Sequence, residues 1–396
     1  MITRIKAENF RCLRSVDVPL RPFQILVGPN GSGKSAFMDV LAFLRTLTAE
    51  HLDAAVSERT ANFHDLVWGR TGNQFSLSLE AAPAAGFGAA QNGYTFPVAR
   101  YHLRVRADVA SETIVIEEEK IAILREQGGD ELPVARLSGV TATYFYEGGT
   151  TPPMQVQLDR AHSVLSIAPV GETNFPEALW LKEALSLRDP LGGAVCPVAL
   201  KTEELRAPSP PYKGAVKSFT GSHFARLVAD LQDKSRESFE DWIKHLRTCL
   251  PDLETVRTVF RPEDRHRYVM VRYRNGIEVP SWALSDGTLR LMALTVLAYL
   301  PQSKGIYLIE EPENGLHPTA IDAIYQSLSS VYEGQVLMAS HSPILLAAAK
   351  PEELLCFART SEEGTEIVRG DRHPVLQNWR GEVSLGELFA AGVLGQ

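Results

Sequence analysis

The run Gly28-Pro29-Asn30-Gly31-Ser32-Gly33-Lys34-Ser35 has the spacing G-x-x-x-x-G-K-[ST], a pattern suited to gripping a polyphosphate. Such an anion needs backbone amides turned inward, and glycines allow that path without a Cβ clash. On this reading Asn30, Gly31, Ser32 and Gly33 cradle the phosphates of ATP, Lys34 reaches the β- and γ-phosphates, and the Ser35 hydroxyl ligates Mg²⁺. A helix starting near Lys34 would add its positive end. A second run, Ile306-Tyr307-Leu308-Ile309-Glu310-Glu311-Pro312, reads as an apolar strand that ends in acids. Two glutamates after a strand are by themselves commonly a solvated strand end. Beside a phosphate loop they acquire distinct roles, in which Glu310 holds Mg²⁺, through water, and Glu311 deprotonates the attacking water. Third comes Ser340-His341-Ser342, again past an apolar strand, where His341 can donate a hydrogen bond to the γ-phosphate and sense its loss. The fourth run is Leu284-Ser285-Asp286-Gly287-Thr288 at the start of an apolar helix. Ser285 is a good N-cap there, and the same helix end can grip a γ-phosphate across a dimer interface.

The elements that must position these residues follow from periodicity. Gln24-Ile25-Leu26-Val27 is a short buried strand, and Phe37, Val40, Leu41, Leu44 and Leu47 then fall on one helical face. Before it, residues 2–20 alternate as half-buried strands. Short strands at residues 75–79, 101–105, 114–123 and 144–146, with Gly- and Ala-rich turns, predict an antiparallel lobe. Helices are expected around 177–187 and 219–250, separated by Ala207-Pro208-Ser209-Pro210-Pro211. Strand 268–273, helix 286–300, and strands 306–309 and 335–339 complete the pattern. The expected division is an N-terminal lobe (1–150), an inserted, mainly helical lobe (151–265) and a C-terminal lobe (266–396). No sustained heptad predicts a coiled-coil arm.

Composition narrows the class. The chain has 396 residues, 44% of them hydrophobic, and a net charge of -8, which argues against a generally basic nucleic-acid coat. Cys12, Cys196, Cys249 and Cys356 form no CxxC pair, so neither a zinc site nor a disulfide framework is expected. The start Met1-Ile2-Thr3-Arg4-Ile5-Lys6 lacks a signal-peptide run, and the apolar stretch 289–300 is too short to span a bilayer. A soluble cytoplasmic protein without membrane contact is expected.

The four motifs in this order resemble the ABC-type ATPase heads of the RecF and structural-maintenance-of-chromosomes (SMC) group. Residues 28–35 match Walker A, 284–288 the signature, 306–311 Walker B, and His341 the switch histidine. Glu8-Asn9-Phe10-Arg11-Cys12-Leu13 is similar to that group's N-terminal strand. Glu310-Glu311-Pro312-Glu313-Asn314-Gly315-Leu316-His317-Pro318 resembles stand-alone ATPases that share a core with overcoming-lysogenization-defect (OLD) proteins. The resemblance is carried by residues 1–50 and 280–345. It implies an α/β P-loop ATPase head with an antiparallel β lobe, an inserted helical lobe and no long coiled coil. It also implies a head-to-tail homodimer in which Ser285, Asp286 and Gly287 act in trans on the partner's ATP. Two departures stand out: the signature reads Ser-Asp-Gly-Thr rather than Ser-Gly-Gly-Gln, and Glu310 stands where many ATPases have aspartate. Residues 63–67 are the candidate Q-loop.

Three roles fit such a switch: the ATPase of a prokaryotic defence or DNA-maintenance module that gates a separate effector, a repair or loading factor acting directly on DNA, and a transporter motor. The signature, the loop after Walker B and the long insertion disfavour the third. Arg257, Arg261, Arg265, Arg267, Arg272 and Arg274, with Tyr268 and Tyr273, make the 257–274 region the candidate nucleic-acid contact. Alternating arginines on an exposed strand also serve simply to solvate one face. The family resemblance favours the first role. With 55 residues after His341 (396 − 341) and no strand-borne carboxylate cluster among them, no nuclease activity is expected from this chain.

Overall fold

The computed structural model describes residues 1–82, 98–108, 111–124, 131–145, 152–167, 195–211, 218–300, 305–360, 364–377, 379, 381 and 383–394. The chain opens with strands β1 (Ile2–Phe10), β2 (Leu13–Pro19) and β3 (Phe23–Val27). After the helix Lys34–Ala49 come β4 (Gln74–Ala81), β5 (Val98–Asp108), β6 (Thr113–Leu124), β7 (Glu131–Ser138), β8 (Thr141–Tyr144) and β9 (Met154–Gln157). These pair as one antiparallel eight-stranded sheet of order β2-β1-β4-β5-β6-β7-β8-β9, from which β3 is excluded. Buried and half-exposed residues alternate along β5, as expected of a sheet with one face on the core.

β3 joins a second, six-stranded sheet with β10 (Val195–Val198), β14 (Ile306–Glu310), β15 (Gln335–Ala339), β16 (Leu354–Thr360) and β17 (Gly364–Arg369). Its order is β10-β14-β15-β3-β16-β17, all parallel except β17. The central strands β14, β15 and β3 are almost wholly buried because both faces are covered. Leu26 and Leu308 face the core beneath the antiparallel sheet, whereas Ile25, Val27, Tyr307 and Ile309 face a second core built from helices. The helix Lys34–Ala49 lies in the first core, where Phe43 meets Phe10 and Phe75 edge-on. Gln335, 0% exposed, ties the sheets together: it accepts from the Ile2 amide at 2.9 Å and donates to the Ile2 and Arg21 carbonyls at 2.8 and 3.0 Å.

The second core joins the helices Phe224–Lys234, Arg236–Cys249, Asp286–Thr295 and Pro318–Ser329. The single helix expected over 219–250 is two, broken at Ser235. The helix expected to reach residue 300 ends at Thr295 and continues as a 3₁₀ turn, Val296–Tyr299. Buried Trp242 donates to the Thr295 hydroxyl at 3.0 Å, fixing one helix on another. A small antiparallel sheet of β11 (Leu253–Phe260), β12 (Arg267–Tyr273) and β13 (Glu278–Pro280) packs beside them. The β11–β12 pair spans residue 265, so the boundary expected there falls inside one hairpin. The helix expected at 177–187 lies outside the described residues. Among those described, the longest helix has 16 residues, no coiled-coil arm is present, and no helix is long and apolar enough to cross a membrane.

Candidate nucleotide site

Parallel pairing sets the carboxyl ends of β14, β15 and β3 side by side, with Glu310 opposite Ala339 and Ala339 opposite Leu26. The three segments that leave this edge are those with Gly28, Glu311 and Ser340. Ligands bind at such edges of open α/β sheets. Asn30, Gly31, Gly33, Lys34 and Ser35 of the Walker A loop line one cleft of about 810 Å³ with Glu310, Glu311, His341, Arg11, Asp65, Trp68, Arg70, Arg359 and Thr365; Ser32 is not among the lining residues.

Gly28 takes φ 148°, and a Cβ there would lie 2.2 Å from the Phe357 carbonyl oxygen. Gly33 takes φ 107° at the helix N-cap, and its Cβ would lie 2.4 Å from Thr365 Oγ1. Both positions thus require glycine for conformation and for space. With glycine as N-cap, no side chain caps the helix Lys34–Ala49, and no acid sits in its first turn. The first-turn amides and the helix dipole are therefore left to an anion. Ser32 is 1% exposed and its Oγ has no protein partner, an orphan that a phosphate oxygen would satisfy. Lys34 donates to the Gly28 and Pro29 carbonyls at 2.8 and 2.9 Å. Burial lowers its pKa, while Glu311 and Glu310 oppose that shift.

Glu311 sits in a left-handed backbone conformation, φ 46°, with its amide donating to the Ala339 carbonyl at 2.8 Å. That conformation costs a non-glycine residue about 1–3 kcal/mol and recurs at functional sites. Asn314 Nδ2 donates to the Glu311 carboxylate at 2.6 Å. Glu313 reaches the neighbouring turn, accepting from Ser340 Oγ at 2.9 Å and from the His341 amide at 2.8 Å. Burial and then the nearby Lys34 charge lower the His341 pKa, so the ring is neutral at pH 7; Glu311 and Glu313 pull the other way. Its ring meets Phe389 at 6.3 Å. Among the described residues no cluster of three or more His, Cys, Asp or Glu could hold a metal. Ser35 and Glu310 nevertheless offer the hard oxygens that fit Mg²⁺, which commonly takes most of its ligands from water and phosphate.

Ser285, Asp286 and Gly287 do not line this cleft. Ser285 caps the helix Asp286–Thr295, accepting from the Thr288 amide at 3.2 Å, and Asp286 is ion-paired with Arg206 at 2.5 Å. Gly287 abuts the loop after Glu311: a Cβ on it would lie 3.0 Å from the Gly315 carbonyl oxygen. The candidate Q-loop is a 3₁₀ turn, Phe63–Leu66, on the cleft wall through Asp65. Arg359, Thr360, Gly364 and Thr365, on the β16–β17 hairpin, escaped sequence reading because nothing in the tail marks them as site residues. In the 257–274 region Arg257 pairs with Glu278 at 2.7 Å, Arg272 with Glu254 at 3.1 Å, and Arg261 with Asp264.

Residues 1–127 match the AAA ATPase domain family, and residues 215–347 match a family described as AAA domain, putative AbiEii toxin, Type IV TA system. The chain is 21% identical to the OLD nuclease of Thermus scotoductus, over 98% of its own length and 68% of that protein. It is 32% identical to Structural maintenance of chromosomes protein 1 of Schizosaccharomyces pombe over 17% of the chain and 5% of that protein. Among solved structures, the SmcHead bound to the C-winged helix domain of ScpA matches with a TM-score of 0.55 and 14% identity, covering 93% of this chain and 96% of that one. An Smc head with an extended coiled coil, bound to the C-terminal domain of ScpA from Pyrococcus furiosus, matches with a TM-score of 0.50 at 12% identity, covering 93% and 95%.

Proposed function

We propose, from the premise that this chain is an ABC-type, SMC-like ATPase head related to OLD proteins, that it is an ATP-binding and ATP-hydrolysing switch working as a head-to-tail homodimer. The observation that carries the reading is the convergence of Lys34, Ser35, Glu310, Glu311 and His341 on one cleft. Lys34 exchanges its bonds to the loop carbonyls for β- and γ-phosphate oxygens, and the amides of 31–35 hold the rest of the charge. Ser35, and Glu310 through water, would hold Mg²⁺, which would supply positive charge to those oxygens. Glu311 orients a water for in-line attack and takes its proton. Neutral His341 donates one hydrogen bond toward the γ-phosphate and loses that partner once it leaves.

Ser285, Asp286 and Gly287, away from the cleft of their own chain, complete the partner's site, so that ATP joins two heads and hydrolysis parts them. The switch gates a separate effector protein in a prokaryotic anti-phage defence or DNA-maintenance module. The relatives' printed descriptions, a nuclease and a putative toxin of a Type IV TA system, support that company. Direct action on DNA through residues 257–274 is less favoured, because Arg257, Arg261 and Arg272 already have carboxylate partners. Phosphate release by the purified chain with ATP and Mg²⁺, lost in Glu311→Gln while nucleotide is still bound, is the expected result. Parental turnover in Glu311→Gln removes Glu311 from the base role.

A further inference from the structure

The loop that follows Glu311 does more than end a strand. It turns tightly: the Asn314 amide donates to the Glu311 carbonyl at 3.1 Å and the Leu316 amide to the Glu313 carbonyl at 3.1 Å. The turn sends two adjacent side chains in different directions, Asn314 back to the Glu311 carboxylate and Glu313 across to the turn after β15. One Glu313 oxygen, Oε1, takes both the Ser340 hydroxyl and the His341 amide. Ser340 is 0% exposed, and its Oγ in turn accepts from the Ser342 amide at 3.0 Å, while its own amide donates to the Leu26 carbonyl at 3.2 Å. The other oxygen, Oε2, is buried without a protein partner. A carboxylate placed there with one oxygen unsatisfied gains too little from packing to explain its presence. What it does achieve is to fix the backbone from which the His341 ring projects into the cleft.

We infer that Glu313 is the positioning residue of the switch histidine, holding the 340–341 turn against the loop that carries Glu311 so that both groups meet the γ-phosphate in one geometry. The inference rests on the ATPase reading above, and it concerns alignment rather than contact: Glu313 does not line the cleft. Charge is secondary to the acceptor oxygen, since the groups it holds are a neutral hydroxyl and a backbone amide. Glutamine keeps an acceptor oxygen on the same stem, and alanine removes it.

The test compares Glu313→Ala and Glu313→Gln in the full chain. In Glu313→Ala, kcat for ATP is expected to fall about 10- to 100-fold, the scale of a small misplacement of reacting groups, with KM within about threefold. Glu313→Gln is expected to restore kcat to within about threefold of the parent. A thermal midpoint common to all three separates misalignment from unfolding. Amide hydrogen exchange supplies a readout independent of turnover: the His341 amide exchanges faster in Glu313→Ala and at the parental rate in Glu313→Gln. If the parent chain hydrolyses ATP and Glu313→Ala does so equally well, the positioning role is wrong and the ATPase reading stands. Equal loss in Ala and Gln variants, or unchanged His341 exchange in Glu313→Ala, also overturns it. A parent without turnover sinks the ATPase reading and with it the alignment role, whatever exchange shows of the bond.

Discussion

Glu119 and Glu311 are carried by different sheets, and the chain treats them in opposite ways. Glu119, in β6, is 0% exposed and accepts from Tyr101 Oη at 2.7 Å, Ser163 Oγ at 2.5 Å and the Val164 amide at 2.9 Å. Burial raises its pKa, and the three hydrogen bonds pull it back. Glu311 is exposed at a strand end, has a left-handed backbone, and receives a side-chain hydrogen bond from Asn314. The first carboxylate is surrounded by donors and fastens the short helix Val164–Ile167 to the antiparallel sheet. The second is held under strain with its face to a cleft. Satisfied groups stabilise a fold, and the groups left strained or lacking a partner mark where a ligand belongs.

The sharpest way to break this contrast is to alter the cleft. Lys34→Ala is expected to lower ATP affinity below detection while leaving the thermal midpoint of the nucleotide-free chain close to the parent's, as read with a fluorescent ATP analogue. Glu311→Gln should bind that analogue normally and lose about 10²- to 10⁴-fold in turnover, the usual contribution of a general base. If Lys34→Ala instead unfolds the chain, its bonds to Gly28 and Pro29 are structural and the contrast fails.

The converse substitution lies in the other sheet. Glu119→Ala leaves the Tyr101 and Ser163 hydroxyls and the Val164 amide without their acceptor and should destabilise the fold by about 3–5 kcal/mol in denaturant unfolding. Glu119→Gln keeps one acceptor oxygen and should cost about 1–3 kcal/mol. The folded-state pKa of Glu119 lies above the unfolded value, so its contribution is full below that unfolded value and shrinks as pH rises toward the folded one. The gap between parent and Glu119→Gln should therefore narrow with rising pH. ATP affinity per folded molecule should not change in either variant, and a lost affinity would mean that the two sheets are not separable in function.

The two regions also differ in how far the sequence discloses them. The cleft core was legible: glycines at 28 and 33 are required by φ and by space, and an apolar strand ending in acids marks the sheet edge. These are short-range signals. Glu119 was invisible, because its partners come from residues 101, 163 and 164, and a glutamate inside an alternating strand reads as solvent-facing. The β16–β17 hairpin was missed likewise: Thr365 becomes a wall of the cleft only because β16 inserts beside β3, a pairing across more than 320 residues. Ser235 splits one helix in two because tertiary packing overrides a continuous apolar period.

A separate effect is expected from the half-site outside the cleft. Ser285→Arg should abolish turnover if the helix end faces a partner's ATP, yet leave binding to Walker A nearly intact. Mixing it with Lys34→Ala should then restore part of the activity, since each mixed dimer keeps one site with sound Walker A and sound signature. Mixed dimers that form and stay inactive would mean that the site is not shared. Here too the contrast applies: Ser285 already has a bond as helix cap, at 3.2 Å from the Thr288 amide, so Ser285→Ala separates capping from contact. Loss of the cap should cost about 1 kcal/mol of stability.

The smallest effect should come from Arg257 and Arg272 of the β11–β13 sheet, which resemble Glu119 more than Glu311 in being supplied with partners. Arg257 and Glu278 meet through two hydrogen bonds, at 3.3 and 2.7 Å, and Arg272 lies 3.1 Å from Glu254. The Arg257–Glu278 contact raises the arginine's pKa and lowers that of the glutamate. Duplex DNA would have to displace these carboxylates, so counterion release at each phosphate would come at the expense of an ion pair. Arg257→Ala with Arg272→Ala is therefore expected to change DNA retention by less than about threefold at 0.1 M salt and to leave the salt slope within one unit. Exposed pairs of this kind contribute only about 0–1 kcal/mol each, so the fold should tolerate the change. A tenfold or greater loss of DNA binding, with a salt slope reduced by about two, would show that the carboxylates yield to phosphate. That result would move the arginine face to the ligand-facing side of the comparison and favour direct action on DNA over control of a separate effector.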